Sequence, residues 1–190
     1  MAKIGLTNFW YSKLTEADDG TPSYDGATRF GKAISASVSI SNNSAMLYAD
    51  DSLAESDTSF QSGTMTLGVD EDADTVFADV LGHEISETGE VTKNAEDTAP
   101  WVGVGRVITK MVNGVYKYKA VIIYKVKFSE PSDDEETKGE SIEFSTPEIE
   151  GTIATLANGN WCLTKTFTTK SEAVAWIGSI FGPAEPAESE

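Results

Sequence analysis

The feature that most limits what this chain can become is an unbroken alternation between residues 116 and 128. Even positions carry Tyr116, Tyr118, Ala120, Ile122, Tyr124, Val126 and Phe128, and odd positions carry Lys117, Lys119, Val121, Ile123, Lys125 and Lys127. Successive side chains of a strand point to opposite faces, so a period of two predicts a β-strand with one apolar face and one face that is basic at both ends. The strand is roughly twice the ~5–6 residues usual in globular proteins. With the residues after it, the stretch 115–156 reads as two long strands joined by a strongly acidic loop at 129–137. A ribbon of that length is expected to protrude, or to join something larger than its own domain.

The rest of the chain supplies neighbours for this stretch. Residues 3–14 alternate weakly around Trp10 and Tyr11, and the turn-rich segment 18–28 then breaks regular structure. From 31 to 41 the alternation is clean, with Ile34, Ala36, Val38 and Ile40 on one face and Ser35, Ser37, Ser39 and Ser41 on the other. Residues 42–62 show no period and read as a long loop; unstructured loops beyond ~12–15 residues are uncommon in compact domains, so this one is either a mobile excursion or an interaction arm. A strand resumes at 63–69. Asp70 or Asp72 then caps a short amphipathic helix over 72–81, in which Val76 and Phe77 meet Val80 and Leu81 and Gly82 ends the helix.

Residues 84–100 read as a second polar loop. The apolar run 101–112 meets Asn113-Gly114, a strong hairpin signal because a type I′ turn needs two residues tolerant of positive φ. Beyond the acidic loop, Ile142 and Phe144 give way at Pro147 to Ile149 and Ile153 in the opposite phase, which predicts a bulge or an edge position. Asn158-Gly159 returns the chain as a strand at 161–168. Thr169 and Glu172 then fit a capping box for a final helix that carries Ala173, Trp176, Ile177, Ile180 and Phe181 on one face, with Gly182-Pro183 closing it. These elements predict an α+β, mainly β class: a β-sandwich or barrel-like meander with two short helices and long hairpins. One domain over 1–182 is expected, with 183–190 a disordered tail.

Composition removes several classes of function. With one cysteine, Cys162, and one histidine, His83, no intrachain disulfide, Cys/His zinc site or CxxC redox pair can form. Fourteen basic residues against 31 acidic ones give a net charge of −17, which repels nucleic-acid phosphates. No run approaches the ~18 apolar residues of a membrane helix, and the N-terminal residues lack the apolar core and cleavage site of a signal peptide, so a cytoplasm-like compartment is expected.

Catalytic signatures fail at identifiable positions. Residues 70–74 begin like a calcium loop, but Thr75 stands where glycine is needed and Leu81 where a bidentate glutamate is needed. Gly103-Val104-Gly105 lacks the third glycine of a dinucleotide loop, and its glycines are expected where another side chain or backbone approaches closely. His83, just past a helix end, reads as structural or solvent-exposed. No nucleophile elbow or metal-binding helix is present, so no enzyme and no cofactor is expected.

Several blocks occur together in order: AKIGLTNFWYSKL, ADDSLAES, TMTLGVDEDADTVFADVLG, KVKF before the acidic loop, TKGESIEFSTPEIEGT, NGNW and EAVAWI. In this arrangement the chain resembles the major tail proteins, or tail tube proteins, of long-tailed phages, over residues 2 to 181. The resemblance implies a tail tube fold whose subunits form hexameric rings, stacked around a tape measure protein and bounded by tail terminator and tail-tip proteins. DNA would pass through without specific binding, no membrane would be involved, and the protein would be made and assembled in the host cytoplasm before residing in the virion tail. The long ribbons implied are 31–41 with 63–69 and 115–128 with 139–156, either of which could line the lumen. The loop 42–62 becomes the candidate ring-to-ring contact through Leu47, Tyr48, Asp50, Asp51, Leu53, Glu55 and Phe60. Candidate inter-subunit ribbon residues are Lys117, Lys119, Lys125, Lys127, Glu140, Glu143, Glu148 and Glu150, the lysines being expected to meet carboxylates within or between subunits. A host-surface or carbohydrate-binding virion module is the alternative, although Trp101, Trp161 and Trp176 fit core or hairpin positions better.

Overall fold

A computed structural model describes residues 2–49, 52–70, 74–131 and 148–182. The chain runs β1 (Ala2–Glu16), β2 (Pro22–Tyr24), β3 (Thr28–Gly31), β4 (Ala33–Ala49), β5 (Ser52–Val69), α1 (Asp74–Leu81), β6 (Glu84–Ile85), β7 (Val91–Thr92), β8 (Val102–Val112), β9 (Val115–Phe128), β10 (Glu148–Ile153), β11 (Cys162–Phe167) and α2 (Lys170–Phe181). It is mainly β with two short helices, as the periodicities imply. The principal sheet is antiparallel and ordered β2-β1-β8-β9-β10-β5-β4, with β3 also on β1 and β11 also on β9; β6 and β7 form a small separate hairpin. No helix among the described residues is long and apolar enough to cross a membrane.

Side chains from both ends of this strand order share one core. Phe9 and Tyr11 of β1 are buried with Met65, Leu67 and Val69 of β5, with Val102, Val104, Ile123, Val126 and Phe128 between them, and with Phe77, Val80 and Leu81 of α1. A flat sheet could not bring its two ends into one cluster, so the sheet curls into a barrel-like shape with Phe77, Val80 and Leu81 of α1 packed on its core. On the outer face of β8 and β9 a second cluster joins Val107, Ala120 and Ile122 to Ala173, Ile177 and Phe181 of α2. The helix begins at Thr169, whose hydroxyl accepts from the Glu172 N–H while the Glu172 side chain accepts from the Thr169 N–H. The capping box expected there is present.

β9 is the central strand, and its two faces are both occupied. Val102 pairs with Val126 and Val104 with Ile123, so Gly103 alone stands opposite Tyr124 and Lys125, which makes a bulge at 124–125. The bulge reverses the phase. Before it, Tyr118, Ala120, Ile122 and Tyr124 face α2 and Ile123 faces the barrel interior; after it, Val126 and Phe128 face the interior. The uninterrupted even-numbered apolar face expected from alternation is therefore two half-faces pointing opposite ways. Gly103 and Gly105 sit where α2 presses on β8: a Cβ at Gly105 would lie 2.8 Å from Ile177 Cγ2, and one at Gly103 would lie 2.9 Å from Phe181 Cε1. Close approach, not phosphate binding, accounts for this glycine pair.

The hairpin at Asn113-Gly114 joins β8 to β9 with φ of 50° and 77°, as a type I′ turn requires. Asn158-Gly159 behaves differently. Both β10 and β11 pair with β9, at 126–128 and 118–123 respectively, so this turn passes the chain along β9 and does not pair β10 with β11.

Candidate functional site

The loop expected over 42–62 is instead the outer half of a hairpin. β4 and β5 pair continuously from Ala33↔Val69 to Ala49↔Ser52, with register shifts at Ala33/Ser35, Ser41/Asn42 and Leu47/Tyr48. Their sequence shows no clean period because the shifts exchange faces and neither face of the outer half has a core to meet. The first shift also turns Ile34 outward, 48% exposed, while Ala33, Ala36, Val38 and Ile40 pack on the core. The inner half of β5 is backed by β10, which pairs with it from Glu148↔Gly68 to Ile153↔Gly63. Beyond Gly63 no third strand follows among the described residues, and Ser41, Asn42, Asn43 and Ser44 are exposed in succession, so both ribbon faces meet solvent. At ~3.3 Å per residue this free ribbon reaches roughly 30 Å from the barrel.

The expected ring-to-ring contacts divide accordingly. Leu47, Tyr48, Leu53 and Glu55 lie on the ribbon backbone near its tip, paired as Leu47↔Glu55 and Tyr48↔Leu53. Asp50 and Asp51 lie outside the described residues. Phe60 is used within the chain: its ring stacks on Trp161 at 5.5 Å and 19°, at the root of the ribbon. It anchors the ribbon to the residue that precedes β11.

The lysines divide too. By the phase reversal in β9, Lys117 and Lys119 share a face with Ile123, whereas Lys125 and Lys127 lie on the opposite one. There is no single basic face. Lys125 Nζ reaches Glu16 Oε2 at 2.5 Å with both side chains about four-fifths buried, and Lys125 and Lys127 lie over the Trp101 ring at 5.1 and 5.7 Å. Glu16 is held below the usual carboxylate range by the Lys125 hydrogen bond and by the Ala157 N–H that donates to its other oxygen. Lys117 faces Lys110 across the β8–β9 pair. Glu148 and Glu150 have exposed side chains on β10, and the Glu150 carbonyl accepts from both the N–H and the hydroxyl of Ser129. Glu140 and Glu143 lie outside the described residues, as do most of the acidic loop and all of the tail 183–190.

Three groups stand out that the sequence did not single out in these roles. Glu16, 109 residues from Lys125, is one, and only the fold brings it close. His83 is the second: its ring is 6% exposed, with Nδ1 at 2.7 Å from Asp97 Oδ2 and Nε2 at 2.5 Å from Glu130 Oε1. Lys93 also approaches Glu130, and the Asn94 N–H donates to Asp97 Oδ2, so the 84–100 segment is pinned to the beginning of the acidic loop. The hydrogen bond to Asp97 raises the His83 pKa against the opposing effect of burial, with Glu130 acting in the same direction as Asp97. The third is Arg106, whose Nε and Nη1 are buried without a hydrogen-bond partner. A signal for it exists in the sequence, since it interrupts the inward-facing series Val102, Val104, Ile108.

No nucleophile is paired with a base in this set, and no cluster of three or more metal-ligating side chains occurs among the described residues. What the arrangement offers is surface: a long two-stranded ribbon, an open strand edge on β4, and ion pairs that fix loops. No protein-family model matches the chain, and no curated protein matches it either.

Proposed function

We propose that the chain is a self-assembling structural subunit whose rings stack into a tube, the tail tube of a long-tailed phage. The observation that carries this reading is the outer half of the β4–β5 ribbon, whose residues 41–44 are exposed in succession and which no third strand supports among the described residues. A two-stranded hairpin is at best marginally stable alone in water, and an open edge is a template for pairing with another chain. A ring resolves both: each edge meets the next subunit, and the ribbon tips, with Leu47, Tyr48, Leu53 and Glu55, reach the adjoining ring. The ribbon is thus a better ring-to-ring arm than a loop, because its length and direction are set by hydrogen bonds.

The net charge of −17 suits a conduit that DNA traverses without binding. In this reading the partners are copies of the chain itself, the tape measure protein inside the tube, and terminator and tip proteins at its ends; the chain performs no catalysis and needs no cofactor. Its place is the virion tail, reached after assembly in the host cytoplasm.

Negative-stain electron microscopy of the purified protein over rising concentration tests the reading. Hollow tubes or six-fold rings are expected, and replacing 43–58 by an Asn-Gly turn should abolish them while leaving a folded monomer. A wild-type chain that stays monomeric at every concentration and in the presence of preformed tail tips would overturn it.

A further inference from the structure

The curled sheet does not close. β1 and β4 approach each other without pairing, and a cavity of about 220 Å3 opens in the seam between them, lined by Gly5 and Leu6 of β1, Ala36 of β4, and Arg106 and Ile108 of β8. Four of the five lining residues are apolar or lack a side chain. The fifth brings a guanidinium whose Nε and Nη1 have neither water access nor a protein acceptor. Among the described residues its remaining surroundings supply no counter-charge: Val121 sits opposite on β9, and the nearby titratable group is the Cys162 thiol of β11, which burial holds in its neutral form. Among the described residues Arg106 makes no ion pair.

Such an arrangement is costly in isolation. A largely buried cation without a counter-ion carries a desolvation penalty, and burial here depresses the Arg106 pKa accordingly. Arginine stays protonated nonetheless, and an anion seated in the cavity would offset that penalty. The planar guanidinium matches a carboxylate in shape and charge, and an N–H donor in a low-dielectric pocket makes the resulting pair strong. One water occupies about 30 Å3 of liquid, so the cavity holds a carboxylate together with a short apolar stem, which Leu6, Ala36 and Ile108 would line.

We infer that the seam between β1 and β4 is a carboxylate-binding site, in which Arg106 receives the anion and Leu6, Ala36 and Ile108 receive its stem. The same chemistry can be presented by a small free carboxylate or by an Asp or Glu side chain of a second copy, of which this acidic chain has many. The site stands on its own cavity and cation, independently of whether the chain builds tubes.

Propionate is the probe, titrated at constant ionic strength against chloride while thermal unfolding of dilute protein is followed. Binding to the native state raises Tm by mass action. Wild type is expected to gain several degrees. R106M should show no propionate response and should start from a higher Tm than wild type, because its uncompensated cation is gone. R106K, which keeps the charge but loses the planar fork, should bind at least tenfold more weakly and serves if R106M fails to fold. Sedimentation velocity over a concentration series separates the sources. Association that R106M loses and propionate suppresses identifies the second copy's carboxylate; propionate protection without concentration dependence identifies a free ligand. Wild type and both variants responding identically to propionate and to concentration would overturn the site.

Discussion

Two long hairpins are built in this chain by the same backbone pattern and meet opposite fates. The base of the β8–β9 hairpin is buried on both faces: Ala120, Ile122 and Val107 lie under α2, while Ile123 and Val104 line the barrel interior. The β4–β5 ribbon is longer on both strands, yet outward of Phe60 it has neither a neighbouring strand nor a covered face among the described residues. Hydrogen bonding runs the length of the partners in each. What differs is side-chain volume: apolar residues occupy both phases at 120–123, whereas 41–44 and 56–59 are mostly serine, asparagine and threonine. Pairing alone therefore does not make a core, and a strand's stability is set by what its two faces can exclude from water. The first hairpin is held by a core; the outer half of the second is held by its own pairing.

The widest separation between the two should come from truncating one side chain in each. Ile122→Ala removes a fully buried residue between β9 and α2 and should destabilise by about 3–4 kcal/mol in urea denaturation, the range of large-to-small core changes. Ser59→Ala on the exposed ribbon should change stability by less than about 0.5 kcal/mol. A comparable loss from both would break the distinction and mean that the ribbon is part of the folding unit.

A smaller effect sharpens the description of where β9 meets its surroundings. Glu16→Gln leaves Lys125 without its anion in a partly buried site and should cost about 1–2 kcal/mol at neutral pH. The sign with pH is fixed by the lowered Glu16 pKa: the stabilisation is present above the ordinary glutamate value of 4.5 and is lost as pH falls through the lower folded-state value. Wild type and variant should therefore converge in stability in acid, and a gap that persists there would assign the loss to packing over Trp101 instead of charge. Gly114→Ala should cost about 1 kcal/mol, because φ of 77° at the β8–β9 turn is unfavourable for any residue with a Cβ.

How far the sequence reveals these differences depends on whether a signal is local. Both ends of α2, the end of α1 at Gly82, the Asn113-Gly114 turn and the glycines beneath α2 are legible because each needs a particular residue at a particular place. The bulge at 124–125 is invisible because Tyr124, Val126 and Phe128 continue an apolar alternation through it; only pairing with Val102 and Val104 shows the phase change. The ribbon is missed for a related reason. Its register shifts scramble the period, and its polar composition is also that of a loop. Partners such as Glu16 for Lys125 lie too far apart in sequence for any spacing rule to join them.

The smallest expected effect tests a contact between loops, away from both hairpins. His83 bridges Asp97 and Glu130, which ties the segment after α1 to the start of the acidic loop following β9. Its pKa is raised above the ordinary 6.5, principally by the hydrogen bond to Asp97. The stabilisation this gives is fully present below 6.5, where the unfolded chain is also protonated, and is lost as pH rises through the higher folded-state value. His83→Gln should thus lower Tm at about pH 6 and approach wild type at about pH 9. Amide exchange localises the change: protection at 94–97 and 129–131 should fall in the variant in the acidic arm, while the β8–β9 core keeps its protection. Faster exchange along β8 and β9 in that variant would show the bridge to be part of the central fold instead of a fastening at its margin.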